Sequence, residues 1–191
     1  MKRHQTFAWF AFSLVTAAFA TTASAQFPTS EVPKSEPEYI AKAKTAAPAS
    51  IVNAATIVMM QADGSTKTLQ NGSNGFTCRV NPDGTPVCAD ANGMEWMKAV
   101  GAKAAPPNKT GFIYMMAGDT GTSNHDAHAT DKSHWVQTGP HVMIVGVAAR
   151  EMASIYPRTM DPDPSQAYVM FPGTPYEHLM LPVHSQRDAA K

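Results

Sequence analysis

Two short segments of this chain repeat the same order of donor atoms. His141-Val142-Met143 and His178-Leu179-Met180 both read His-apolar-Met. Each follows a proline-containing turn and opens an apolar run that reads as a β-strand. In a strand, residues two apart share a face, so each segment presents an imidazole and a thioether on one side and Val142 or Leu179 on the other. With the two strands as neighbours, His141, Met143, His178 and Met180 would converge. Borderline nitrogen with soft sulfur suits copper, above all Cu(I), better than calcium or magnesium. His184, a few residues on, would be a further ligand. The competing reading is packing. Met143 and Met180 sit among Ile, Val and Leu, where methionine fills cores, and a histidine at a strand end often does no more than bond a backbone carbonyl.

A second group lies in the polar stretch 117–138, which carries Asp119, Asn124, His125, Asp126, His128, Asp131 and His134. Imidazoles such as His125 and His128, mixed with hard oxygens, can hold a divalent ion such as zinc. The spacing matches no zinc signature and lacks the order of a calcium loop, which favours a solvated polar loop. A third group is Glu177 with His178, beside Tyr176. With His141 these residues offer a carboxylate and imidazoles for acid–base chemistry. Adjacent strand residues face opposite ways, so Glu177 and His178 cooperate only if the turn at Pro175 bends the backbone. No Gly-x-Ser-x-Gly elbow, phosphate loop or dinucleotide fingerprint is present. Trp135, at the exit of the polar stretch, and Tyr176 are candidates to line a ligand pocket, whereas Trp96 reads as packing on a short helix.

Those groups need an address and a scaffold. Lys2, Arg3 and His4 precede an apolar run over 7–20, and Ala23-Ser24-Ala25 is a small-x-small triplet. Charge, length and order are those of a secretory signal cleaved after Ala25, giving a periplasmic or secreted chain. Removing residues 1–25 takes Lys2 and Arg3, leaving 13 of the 15 basic residues against 15 acidic ones. That near-neutral balance gives no electrostatic case for nucleic acid. No later segment has the continuous apolar length for stable membrane insertion, and nothing points to a protein partner.

Cys78 and Cys88 flank Pro82-Asp83-Gly84, a three-residue hairpin loop with Gly84 at the position that needs positive φ. Counting outward from the turn pairs Asn81 with Thr85, Val80 with Pro86 and Cys78 with Cys88, the last at a non-hydrogen-bonded position where Cα atoms lie closest. An oxidising compartment lets the two thiols join, contributing about 2–3 kcal/mol. Pro86 lacks an N–H and marks its strand as an edge.

Strands are predicted over 56–61, 66–69, 112–116, 141–147, 168–171 and 178–183, with helices over 36–46, 92–101 and 148–156. In the middle helix Asn92 would cap and Glu95 complete a capping box. Hairpins outnumber possible parallel crossovers. The expected class is α+β: a single domain, mainly an antiparallel sheet, with two or three short helices and one cross-strand disulfide, Cys78–Cys88. The expected divisions are a signal over 1–25, a flexible Pro/Ala-rich leader over 26–50, the domain over 51–185 and a disordered tail over 186–191.

Four stretches, Asn74-Gly75-Phe76-Thr77-Cys78, Pro86-Val87-Cys88-Ala89-Asp90, Trp135 through Thr138-Gly139-Pro140-His141-Val142-Met143, and Pro175-Tyr176-Glu177-His178-Leu179-Met180, together resemble an uncharacterised family of exported bacterial proteins. The resemblance implies a bacterial origin and a single domain, and carries no activity, ligand or catalytic residue.

The sequence thus leads to an exported binding protein, its site where the polar stretch approaches the starts of the His141 and His178 strands, with copper as the ligand best matched to the donors. The alternatives are a small periplasmic hydrolase-like enzyme using Glu177 with His141 and His178, and a structural envelope protein with no ligand.

Overall fold

The Pro82-Asp83-Gly84 turn organises the centre of the molecule. In the computed structural model, which describes residues 31–183, Gly84 has φ +82° and Asn81 N–H donates to Thr85 O at 2.8 Å. The flanking strands β3 (Thr77–Val80) and β4 (Pro86–Ala89) pair with Cys78 opposite Cys88, whose Cα atoms are 4.0 Å apart and whose sulfurs are bonded. The address signal, its cleavage site, His184 and the tail lie outside the described residues.

Around this hairpin the chain builds one α+β domain on an eight-stranded sheet. Helices α1 (Glu36–Ala43) and α2 (Ala49–Val52) come first, joined by a 3-10 turn (Lys44–Ala46), and then β1 (Thr56–Met60) and β2 (Thr66–Gln70). After β4 come α3 (Ala91–Gly101) and β5 (Gly111–Met115), a two-strand clasp of β6 (Thr122–Ser123) and β7 (Trp135–Val136), then β8 (His141–Val145), α4 (Val147–Met152), β9 (Tyr168–Met170) and β10 (His178–Pro182). The sheet order is β2-β1-β3-β4-β5-β8-β10-β9, with β1 and β3 parallel and the other neighbours antiparallel.

The two halves of the sheet are covered on opposite faces. Tyr39 and Ala43 of α1 pack with Cys78, Val80 and Cys88 on one side. Trp96 of α3 packs with Val87, Ala89, Ile113, Val145 and Met180 on the other. Because β4 feeds both cores alternately, all four of its residues are buried, which explains its unbroken apolar run. It meets β5 through two register pairs, Cys88 with Tyr114 and Ala89 with Ile113, whereas β5 and β8 share five.

Three expectations need correction. Residues 36–50, expected as part of a flexible leader with one helix over 36–46, are packed against the sheet as α1, the 3-10 turn and the start of α2. Tyr39, Ala43 and Ala46 are buried, and the Tyr39 hydroxyl accepts the Val80 N–H at 2.9 Å. Alanine and tyrosine supplied an apolar stripe that the surrounding Lys and Pro masked. Secondly, β4 is central, not an edge. Pro86 needs no N–H because it is non-hydrogen-bonded towards β3 and lies beyond the β4–β5 ladder, where Met116 N–H turns away to Ala46 O at 2.9 Å. Thirdly, Asp90, not Asn92, caps α3. Its carboxylate accepts Gly93 N–H at 2.7 Å and Phe112 N–H at 3.2 Å, so one side chain ties the helix start to β5. Glu95 instead meets Lys109 at 2.8 Å.

Candidate functional site

The register of the sheet decides what the two His-apolar-Met segments can do. β8 and β10 are direct neighbours, and Met143 stands opposite Met180. His141, Met143, His178 and Met180 are on one face, towards α3, and all four line a cavity of about 230 Å³. The strands are antiparallel, so the two histidines mark opposite ends of the pair: His141 lies across from Pro182, and His178 is flanked by Met170 of β9. Their backbones are four register steps apart, about 13 Å along the strands.

Both imidazoles are held in the same protonation state. His141 has no exposed surface and His178 is 3% exposed. His141 Nδ1 lies 2.7 Å from Gly139 O, and His178 Nδ1 lies 2.9 Å from Tyr176 O. A carbonyl oxygen can only accept, so Nδ1 carries the proton and Nε2 keeps its lone pair. Burial pushes both pKa values down to about 4, against the raising effect of those carbonyls, and the rings stay neutral at ordinary pH. Neither Nε2 has a hydrogen-bond partner. Two desolvated lone pairs left in this state are costly unless something binds them.

The ends of the cavity differ. Beside His141 stands Asp119, its Oδ2 4.0 Å from Nε2. Asp119 closes the base of the polar stretch: Oδ1 accepts Gly121 N–H at 2.8 Å and Thr138 N–H at 3.0 Å, and its own N–H donates to Thr138 O at 3.0 Å. Burial raises its pKa to about 6, a rise that the two N–H bonds oppose and the charge of Asp83 reinforces. Beside His178 stand aromatic rings, with Trp96 edge-on at 5.1 Å and Phe171 at 5.4 Å between ring centres.

The other sequence candidates have different places. Glu177 does not serve an imidazole. Its Oε1 and Oε2 take Arg158 at 2.7 and 2.5 Å, and Oε2 also accepts Gly173 N–H at 2.6 Å. Burial would raise its pKa, but these bonds outweigh it and hold the carboxylate below its usual range. Its place is in fixing the turn before β10. Tyr176 is buried, donates to Ala104 O at 3.1 Å and packs edge-on against Trp96 and His128. Trp135 is 44% exposed, with Lys132 over its ring. The aromatic wall of the cavity is Trp96, the residue read as packing, together with Phe171.

Within the polar stretch, His125 faces Asp131 at 3.5 Å, His134 pairs with Asp161 at 2.9 Å, and His128 turns to Tyr176. Among the described residues, no group of three or more His, Cys, Asp or Glu side chains is placed to hold a metal ion. The stretch itself is anchored by Asn124, which is fully buried, donates to Thr159 O and Met160 O, and accepts Phe171 N–H at 2.9 Å.

Fold and cavity together define an α+β domain whose sheet is covered on opposite faces in its two halves and whose cavity beside α3 is lined by sulfur and imidazole. In comparison with known proteins, no family model matches the chain, and no curated protein or solved structure matches it. No helix among the described residues is long and apolar enough to cross a membrane.

Proposed function

We propose that this is an exported bacterial binding protein whose cavity, lined by His141, Met143, His178 and Met180, takes a soft transition metal, copper in the Cu(I) state. The observation that carries the reading is the pair of buried, neutral imidazoles, each with an unpartnered Nε2, facing a cavity floored by a cross-strand methionine pair. Carbonyl bonds at Nδ1 are the usual way a metal-binding histidine is oriented. Thioether sulfur selects monovalent copper over harder ions. The Cys78–Cys88 bond suits an oxidising compartment, in keeping with the signal-like N-terminus. Binding is favoured over hydrolysis because the carboxylate that a hydrolase would recruit, Glu177, is occupied by Arg158.

The test is anaerobic Cu(I) titration of untagged protein against a chromogenic chelator, repeated for His141→Ala and His178→Ala. Retention of at least one equivalent by the parent, with less copper held by each variant, is the expected result. No retention by the parent, or retention that ignores both substitutions, overturns it. Circular dichroism confirms that the variants are folded.

A further inference from the structure

The cavity holds the same three-residue constellation twice. On the face towards α3, His141 has Met115 directly across on β5 and Met143 two residues along its own strand. His178 has Met170 directly across on β9 and Met180 two residues along. All six side chains line the one cavity. The antiparallel register relates the two sets by a local two-fold axis that runs between Met143 and Met180.

We propose that the cavity binds two Cu(I) ions, one on His141, Met115 and Met143 and one on His178, Met170 and Met180. This rests on the copper reading above and adds how many ions the cavity holds and which donors each takes. Distance is the deciding argument. Two histidines on one ion need their nitrogens within about 4 Å, given ligand bonds near 2 Å. The two backbones are about 13 Å apart along the strands, and each histidine has two methionines on nearer positions. Cross-strand neighbours have Cβ atoms about 5 Å apart, and methionine, unbranched with three rotatable bonds, can swing its sulfur to an ion between them. One nitrogen and two thioethers make a three-coordinate, soft and uncharged donor set, which suits a monovalent ion.

The second nitrogen of each ring, already bonded to Gly139 O or Tyr176 O, fixes the donor that is left. The two sites are not equivalent. Asp119 stands beside the first, while the Trp96 ring lies beside the second, where an aromatic face or edge adds its own field to a bound cation.

The experiment counts ions in the full mature chain. Ascorbate-reduced copper is titrated anaerobically against a competing chelator in the parent and in two methionine-to-leucine variants, M115L/M143L and M170L/M180L. Leucine keeps the volume and removes the sulfur, so the fold is preserved, as near-ultraviolet circular dichroism will check. The expected result is two equivalents for the parent and one for each variant. Emission from Trp96 should be quenched in M115L/M143L and spared in M170L/M180L, with Trp135 giving a constant background. One equivalent in the parent overturns the two-site inference and leaves the copper reading standing. Two equivalents that survive both double substitutions also overturn it. No copper retained by the parent removes both.

Discussion

At the scale of single residues, the cavity carries opposed protonation costs. Asp119 has a folded-state pKa of about 6 against an ordinary value of 3.8. The folded form therefore binds its proton more tightly than the unfolded chain. Its contribution to stability is full below pH 3.8 and is lost as pH rises through 6. By pH 7 the charged carboxylate costs up to about 3 kcal/mol, two pKa units at 1.4 kcal/mol each. Asp119→Asn keeps an oxygen for the Gly121 and Thr138 N–H groups and removes the charge. In metal-free protein it should raise the urea midpoint at pH 7 by the equivalent of about 1–3 kcal/mol and leave it unchanged at pH 4. An equal effect at both pH values would show that desolvation of the carboxylate is not the cause. The histidines act in the other direction. Their folded pKa values, about 4 against 6.5, make stability fall as pH drops from 6.5 towards 4.

At the scale of elements, the site depends on how closely α3 lies against β5, because Trp96 of that helix forms one wall. The approach is set by two glycines. A Cβ on Gly111 would sit 2.4 Å from Gly93 N, and a Cβ on Gly93 would sit 2.9 Å from Phe112 O. Both neighbours are backbone, so they cannot swing aside. Gly111→Ala should destabilise the domain by about 2 kcal/mol or more and shift the Trp96 emission maximum, whereas Asp90→Ala, which removes the cap and the bond to Phe112 but leaves the backbones free to approach, should cost about 1 kcal/mol. Equal costs for the two would mean that the helix gives way freely.

Most of these elements were legible in residue order. Alternation and turn chemistry marked all eight strands of the main sheet, and the Pro-Asp-Gly count placed Cys78 opposite Cys88. What escaped were properties of long-range pairing. Nothing local in FIYMM says that Met115 ends beside His141, nor does anything near Met170 announce His178. Likewise the Asp119 carboxylate, grouped by sequence with the loop histidines, reaches His141 only because Thr138 clasps it. Trp96 looked like packing, and it is packed, but the ring it packs on is an imidazole.

At the scale of the whole molecule, the unequal pairing along the sheet has a dynamic consequence. β1, β2 and β3 with their helical cover meet the site-bearing half at β4, which shares two register pairs with β5, sends Val87 and Ala89 into the Trp96 core and runs directly into α3. β1 is held to β3 by only two register pairs as well, so partial opening should begin at the β1–β2 edge while the strands that line the cavity stay paired. Native-state amide exchange would register this as one shared, lower opening free energy for β1 and β2 and a higher one for β5, β8 and β10. Uniform protection across the sheet would mean that the junction is no weaker than its surroundings. The cavity rim draws on both sides, Asn81, Asp83 and Thr85 from the hairpin and Asp119 to Thr122 from the 117–138 stretch, and the Thr120 hydroxyl, donating to Asp83 at 2.8 Å, is the latch that joins them.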